Sequence, residues 1–313
     1  MDAPVTFPWV SCETVRCNLC GADEPDVLLD ATGSPQRSQR DLQYAASGDT
    51  PLQDRLVRCR RCGLVYVSPR PQRQAIEHAY AEVDNSLYLE QGSERSRTFA
   101  RAIRWLEKAG ARKGRLLDVG CAGGFFVKAA GDAGWAAEGL EISRHLCQFG
   151  RDTLGVSITQ GTLERAPFLE QSFDVITFWD VLEHVADPSG TLDRAKRLLK
   201  PGGHLLVNYP DYGSLWAKWL GRRWWFLIDV HIYYFTPATL AKLLEKHGFQ
   251  MCLQRRHFQT LRLGYLLQRA QASFPRLGRW METCCRRMGL QNVPVTYYAG
   301  QKTAIARNAA AHV

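Results

Sequence analysis

Between Arg115 and Asn208, short apolar runs recur at 115–119, 135–140, 173–178 and 204–208. Each has the length of a strand, and the stretches between them carry helical spacing and end near glycines such as Gly131, Gly155 and Gly202. Strand alternating with helix predicts a parallel sheet covered by helices on both faces. Upstream, Leu64–Val67 predicts one short strand, stopped by Ser68-Pro-Arg-Pro71, and helical spacing follows to about Gly110. Downstream, a helix is expected over Pro237–Lys246, closed by Gly248, then a strand over 249–256 and a last strand over Val295–Ala306. Between these two strands, Leu263, Leu267, Ala270, Phe274, Leu277, Met281, Cys284 and Met288 form a helical stripe broken at Pro275. The polar stretch from Ala31 to Gln53 is the one long loop. A boundary near Pro71 divides the chain into a small module, 1–71, and a large domain, 72–313, with a helical insertion over about 259–290.

A length of 313 residues with 45% hydrophobic positions suits such a two-part chain. No apolar run approaches the roughly 20 residues that span a bilayer, and Asp2 and Pro4 stand where a basic signal region would be, so a cytoplasmic location is expected. The net charge of +9 changes meaning once it is located. Residues 251–313 hold ten Lys and Arg against the single acid Glu282, whereas residues 1–75 balance nine against nine. The N-terminal module therefore lacks a footprint for a phosphate backbone, which argues against a nucleic-acid partner. Arg269, Arg276, Arg279, Arg286 and Arg287 accompany the stripe of the insertion. A basic amphipathic helix pair suits a peripheral contact with an anionic membrane, a phosphorylated substrate such as a lipid-linked or nucleotide sugar, or a plain cover on the sheet with a solvated arginine face.

Four of the ten cysteines form Cys17-Asn-Leu-Cys20 and Cys59-Arg-Arg-Cys62, with 38 residues between the pairs and each pair followed by a glycine, Gly21 or Gly63. Two such knuckles aim four thiolates at one ion, so Cys17, Cys20, Cys59 and Cys62 predict a structural zinc. Cys12 has no partner at that spacing and reads as a plain thiol. The module reads as a scaffold or a pocket wall.

The first strand of the large domain runs into Leu116-Leu-Asp-Val-Gly-Cys-Ala-Gly-Gly-Phe-Phe126, a glycine-rich turn opening a helix. Such a turn lets a ligand approach backbone and helix N-terminus. Glu141, at the end of the second strand, sits where a carboxylate can accept both ribose hydroxyls. A dinucleotide would fit the same pattern, but Asp118 would then face a pyrophosphate. Three further blocks occur in order: Gly161-Thr-Leu-Glu-Arg-Ala-Pro-Phe168, Ser172-Phe-Asp-Val-Ile-Thr-Phe-Trp-Asp-Val-Leu-Glu-His-Val185 and Leu199-Lys-Pro-Gly-Gly-His-Leu-Leu-Val207. Over about residues 100–250 the chain thereby resembles the class I S-adenosylmethionine (SAM)-dependent methyltransferases. The resemblance implies a Rossmann-like sheet, mostly parallel with an antiparallel last strand. It places Asp118 and Gly120 beside the methionine part of SAM and Thr162 with Leu163 at the adenine, and Ala122, Gly124, Ile142 and Trp179 join Glu141 in the expected cofactor-binding set. Two positions depart from the family pattern: Ala122 replaces the middle glycine, and Thr162 replaces an acid whose loss weakens cofactor binding by ~1 kcal/mol or more.

After the fourth strand, Asp180, Glu183 and His184 are spaced to share one turn of a helix start. The block resembles that of ubiquinone-pathway O-methyltransferases, which implies a second divalent metal or a base there; ordering of the loop is the alternative. His231, in His231-Ile-Tyr-Tyr-Phe-Thr-Pro237, precedes a helix capped by Thr236 and is either a base or a loop anchor. That segment is similar to one found in zinc-module methyltransferases of sugar and natural-product pathways. Trp216, Trp219, Trp224 and Trp225 lie between the two blocks as pocket wall or lid core. The expected function is methyl transfer from SAM to a small-molecule acceptor, foremost a sugar or natural-product hydroxyl, with a histidine base. An RNA methyltransferase reading through its zinc module, a C- or N-methylase of a nucleotide-linked sugar, and a SAM-binding interaction protein are the alternatives.

Overall fold

The computed structural model describes residues 10–33, 50–82 and 86–309, so most of the expected polar loop lies outside the described residues. The N-terminal part contributes β1 (Cys12–Glu13), β2 (Pro25–Leu29), β3 (Leu56–Cys59), β4 (Val65–Val67) and β5 (Arg70–Pro71), followed by helices α1 (Arg73–Ala81), α2 (Ser86–Leu89) and α3 (Gly92–Lys108). The alternating region then runs β6 (Arg115–Val119), α4 (Phe125–Asp132), β7 (Ala136–Glu141), α5 (Arg144–Leu154), β8 (Ile158–Gln160), β9 (Phe173–Trp179), α6 (Pro188–Leu198) and β10 (Leu199–Pro210). It is completed by α7 (Leu215–Leu220), β11 (Tyr233–Tyr234), α8 (Pro237–Lys246), β12 (Phe249–Arg262), α9 (Leu263–Ser273), α10 (Pro275–Arg287) and β13 (Pro294–Asn308).

Seven strands form one sheet in the order β12-β13-β10-β9-β6-β7-β8. The five from β10 to β8 are parallel, and β13 is inserted antiparallel between β10 and β12. This is a Rossmann-like arrangement, and its central strands are near-continuously buried because both faces are covered. Leu116, Val175, Leu206 and Ile305 face α3 and α4, while their neighbours Leu117, Ile176 and Leu205 face α6 and α8. Local chemistry sets the helix ends: Ser143 caps α5 and Asp187 caps α6. At α8, Thr236 and Thr239 bond reciprocally and Pro237 takes the first position. The order of strands reverses beside β6, so the carboxyl ends of β6, β7 and β9 open a crevice there.

Several expectations shift. Gly131 lies inside α4, and the left-handed residue that follows is Gly134. Gly202 falls within β10, four residues beyond the end of α6. Strands β12 and β13 run past the sheet as a long pair, so the insertion's helices begin at Leu263. The four-stranded N-terminal sheet takes β11 as its edge: Tyr233 pairs with Tyr66 and Tyr234 with Val65. Leu19, Leu56 and Tyr66 join the same buried cluster as Leu117 and Leu205 of the main sheet. No helix among the described residues is long and apolar enough to cross a membrane.

Candidate active site

A cavity of about 750 Å3 opens at the carboxyl ends of β6, β7 and β9. One end of it is built by the glycine-rich turn, where Gly120 and Ala122 both have positive φ, 66° and 47°. At Ala122 this left-handed geometry costs an L-residue ~1 kcal/mol, which marks the turn as held by its surroundings. The holder is Glu141. Its carboxylate accepts from Ala122 N–H at 2.8 Å and from Ser143 N–H at 2.9 Å, and burial raises its pKa. Glu141, Ile142, Thr162, Leu163, Gly120, Ala122 and Trp179 all line the cavity. The Thr162 Oγ1 and Trp179 Nε1 atoms are buried without a partner among the described residues, ready for a polar ligand.

Asp118 and Gly124 stand apart from that set. Asp118 lies under the turn, 1% exposed, accepting from Thr177 Oγ1 at 2.6 Å, and burial pushes its pKa up to about 8. Gly124 is the left-handed cap of α4, against Val156 and Ile158. Both shape the turn from behind the cavity wall. Tyr88 and Arg95, which no motif announced, do line the cavity. The Arg95 guanidinium stacks on the Tyr88 ring at 4.0 Å, and its Nε is buried with no hydrogen-bond partner among the described residues.

The segment after β9 is a turn, with Asp180 at φ 52°, and helix starts only at Pro188. The expected sharing of a helical turn by Asp180, Glu183 and His184 therefore does not occur. Asp180 accepts from Asn208 Nδ2 and Gln301 Nε2, both at 2.8 Å. Ligand atoms of Glu183, His184 and His231 converge instead, all within 4.8 Å of one another. The two imidazoles are 4.6 Å apart between ring centres. His231 Nδ1 lies 2.8 Å from the Phe226 carbonyl and His184 Nδ1 lies 2.9 Å from the Val230 carbonyl. A carbonyl only accepts, so in both rings Nδ1 carries the proton and Nε2 keeps its lone pair. Tyr80 Oη also meets His184 Nδ1, at 2.7 Å. Burial lowers the His184 pKa to about 4 and that of His231 well below the ordinary range, while it raises that of Glu183, whose carboxylate oxygens have no hydrogen-bond partner among the described residues. At neutral pH both histidines are neutral acceptors.

The tryptophans divide. Trp224 and Trp225 line the cavity, with Trp225 Nε1 donating to the Ala299 carbonyl at 3.1 Å, whereas Trp219 is 78% exposed on the outer side. Arg73, Arg222, Arg223 and Arg269 reach the cavity from α1, the turn after α7 and α9.

In the N-terminal module the four cysteines face one another: Sγ of Cys17 lies 3.4 Å from that of Cys62, and Cys20 lies 3.5 Å from Cys59. A disulfide needs about 2.05 Å. Tetrahedral zinc thiolates with bonds of about 2.3 Å give sulfur edges of roughly 3.8 Å, which these separations approach. Gly21 and Gly63, at φ 75° and 79°, donate back to the carbonyls of Cys17 and Cys59 and close the knuckles.

A family model described as a methyltransferase domain matches residues 92–254, just over half of the chain. Among curated proteins, the ubiquinone biosynthesis O-methyltransferase of Alkalilimnicola ehrlichii is 35% identical over 100 residues, covering 30% of this chain and 40% of that protein. The protein of the same name from Vibrio cholerae is 36% identical over 111 residues, covering 33% and 45%. The chain thus spans less than half the length of these relatives. Among solved structures, a SAM-dependent methyltransferase from Thermotoga maritima aligns at a TM-score of 0.47 and 20% identity, over 69% of this chain and 91% of that one.

Proposed function

The chain belongs to the methyltransferase-domain family, and from that premise we propose that it transfers the methyl group of SAM to a hydroxyl of a small-molecule acceptor, a sugar or natural product, held under the tryptophan lid. The observation that carries this reading is the joining, in one cavity, of a ribose-competent carboxylate and two neutral imidazoles. Glu141 is fixed by two backbone N–H groups, and its remaining lone pairs suit the ribose hydroxyls. Thr162 and Leu163 would flank the adenine, and Arg95 would meet the cofactor carboxylate. SAM supplies an electrophilic methyl on a sulfonium, so the protein's task is alignment, exclusion of water and removal of one proton. His231 takes the acceptor proton through Nε2, and His184 stands beside it. Trp224 and Trp225 present flat apolar faces of the kind that dock sugar rings or aromatics.

Zinc in the four-cysteine cluster would act structurally. Val67 N–H donates to the Ile232 carbonyl, and Ile232 and Tyr233 N–H both donate to the Glu183 carbonyl, so the module's sheet and the Glu183 turn grip the residues that follow His231. Isothermal titration with SAM, beside metal analysis of the same sample, tests the proposal. Micromolar binding with one zinc per chain is expected; absence of SAM binding refutes the reading, and a second bound ion would give Glu183, His184 and His231 to a metal.

A further inference from the structure

Helix α10 has its apolar side turned outward. Successive residues of a helix advance by about 100°, which sets Phe274, Leu277, Trp280, Met281 and Met288 within an arc of about 120°. All five are exposed: Trp280 by 66%, Met288 by 63% and Leu277 by 55%. The buried residues of this helix are instead Gly278 and Cys285, which lie on the side of the helix wheel away from Trp280. Thus α10 leans on its neighbour with small residues and offers its bulky ones to the outside. A face of this kind costs solubility unless something covers it.

Charge selects the occupant. Arg276 and Arg287 flank the apolar arc on one edge, and Arg279 and Arg286 lie behind it, against the lone acid Glu282, which binds Arg286 at 2.9 Å. A twofold contact between two copies of this face would bring the arginine rows together, and an acid-poor helix offers nothing to neutralise them. An anionic lipid surface supplies both an apolar layer for the side chains and negative headgroups for the guanidinium groups. Tryptophan, apolar with one polar edge, suits that boundary. The same insertion forms the cavity wall: Leu266, Ala270 and Phe274 line it, and Phe274 belongs to both surfaces.

We propose that α10 lies in the plane of an anionic bilayer, its Leu277, Trp280, Met281 and Met288 side chains inserted among the headgroups, so that the acceptor mouth opens at the lipid surface. This surface is independent of which atom is methylated. It is tested by co-sedimentation of the full chain with vesicles of phosphatidylcholine alone and of equal parts phosphatidylcholine and phosphatidylglycerol. Binding is expected only to the anionic vesicles, falling with salt. A Leu277→Gln/Trp280→Gln variant should lose it, and Arg276→Gln/Arg287→Gln should weaken it about 30-fold, at about 1 kcal/mol per arginine. Thermal unfolding and SAM titration of each variant establish that the fold and cofactor site persist. Failure of the parent chain to bind anionic vesicles overturns the proposal. So does a concentration-dependent dimer abolished by the Leu277→Gln/Trp280→Gln change, which would give the face to a second copy.

Discussion

Replacing Glu141 with glutamine tests the cofactor site at the point where its geometry is best defined. The two carboxylate oxygens accept from Ala122 and Ser143 N–H. An amide satisfies one of them and turns its own NH2 against the other, leaving an N–H unpaired at a cost of ~1–3 kcal/mol. Two ribose hydroxyls donating to a charged group contribute ~1.5–3 kcal/mol each, and glutamine retains one weaker acceptor. The expected loss in affinity is about 2 kcal/mol, roughly thirtyfold in Kd. S-adenosylhomocysteine shares the ribose and lacks the sulfonium, so isothermal titration should show the same factor for both ligands. A modest drop in thermal stability should accompany it. A Kd for SAM within about threefold of the parent, in a folded variant, would refute the assignment. A loss confined to SAM would move Glu141 to the sulfonium end.

Three further outcomes follow from the same geometry. Asp118 has its pKa raised by burial from 3.8 to about 8. The folded state therefore holds a proton that the unfolded chain releases, and this stability is full below about pH 4 and lost as pH rises through 8. Asp118→Asn should keep the bond from Thr177, melt higher than the parent at pH 8 and level with it near pH 4; a parallel pH dependence of the two melting curves would contradict the buried placement. His231→Gln should lower methyl transfer by about 10²–10⁴-fold with the SAM Kd unchanged. Because burial lowers the His231 pKa, the parent rate should stay level from pH 8 to pH 6, and a fall centred near 6.5 would point to another base. Cys59→Ser should abolish bound zinc and lower the melting temperature, and it should depress methyl transfer more than SAM binding, read by the same two assays.

Strands buried on both faces are written as unbroken apolar runs, so β6, β9 and β10 were legible, and so were the caps of α8, whose Thr236-Pro237 pair acts locally. β8 escaped because three residues, Ile158 to Gln160, are too short to carry a period. The glycine-rich turn and Glu141 were legible because their chemistry is local to two strand ends. Asp118 misled, since residue order cannot tell a side chain lining a crevice from one folded beneath it. Arg95 and Tyr88 were missed because helices α2 and α3 carry no motif and reach the site only through packing. Nor does the spacing of His184 and His231 reveal that their rings lie 4.6 Å apart.

That juxtaposition explains why a module without a basic face belongs in such a chain. Loops after sheet strands are free to move, and fixing one residue's backbone costs about 1–2 kcal/mol. The His231 segment is fixed from two sides at once, by β4 through Tyr66 and Val65 and by the Glu183 carbonyl. The Glu183 turn is itself tied down by the first cysteine knuckle: Asn18 Nδ2 donates to Asp187 Oδ1 at 2.8 Å, and Ser189 N–H donates to Asn18 Oδ1 at 2.9 Å. From the other side of the module, Arg70 Nη1 donates to the Tyr233 hydroxyl at 2.9 Å. Each histidine thus hangs from backbone that the four-cysteine module holds. A metal there would stiffen the module without entering the cavity, and its effect on chemistry would pass through the positions of two imidazoles.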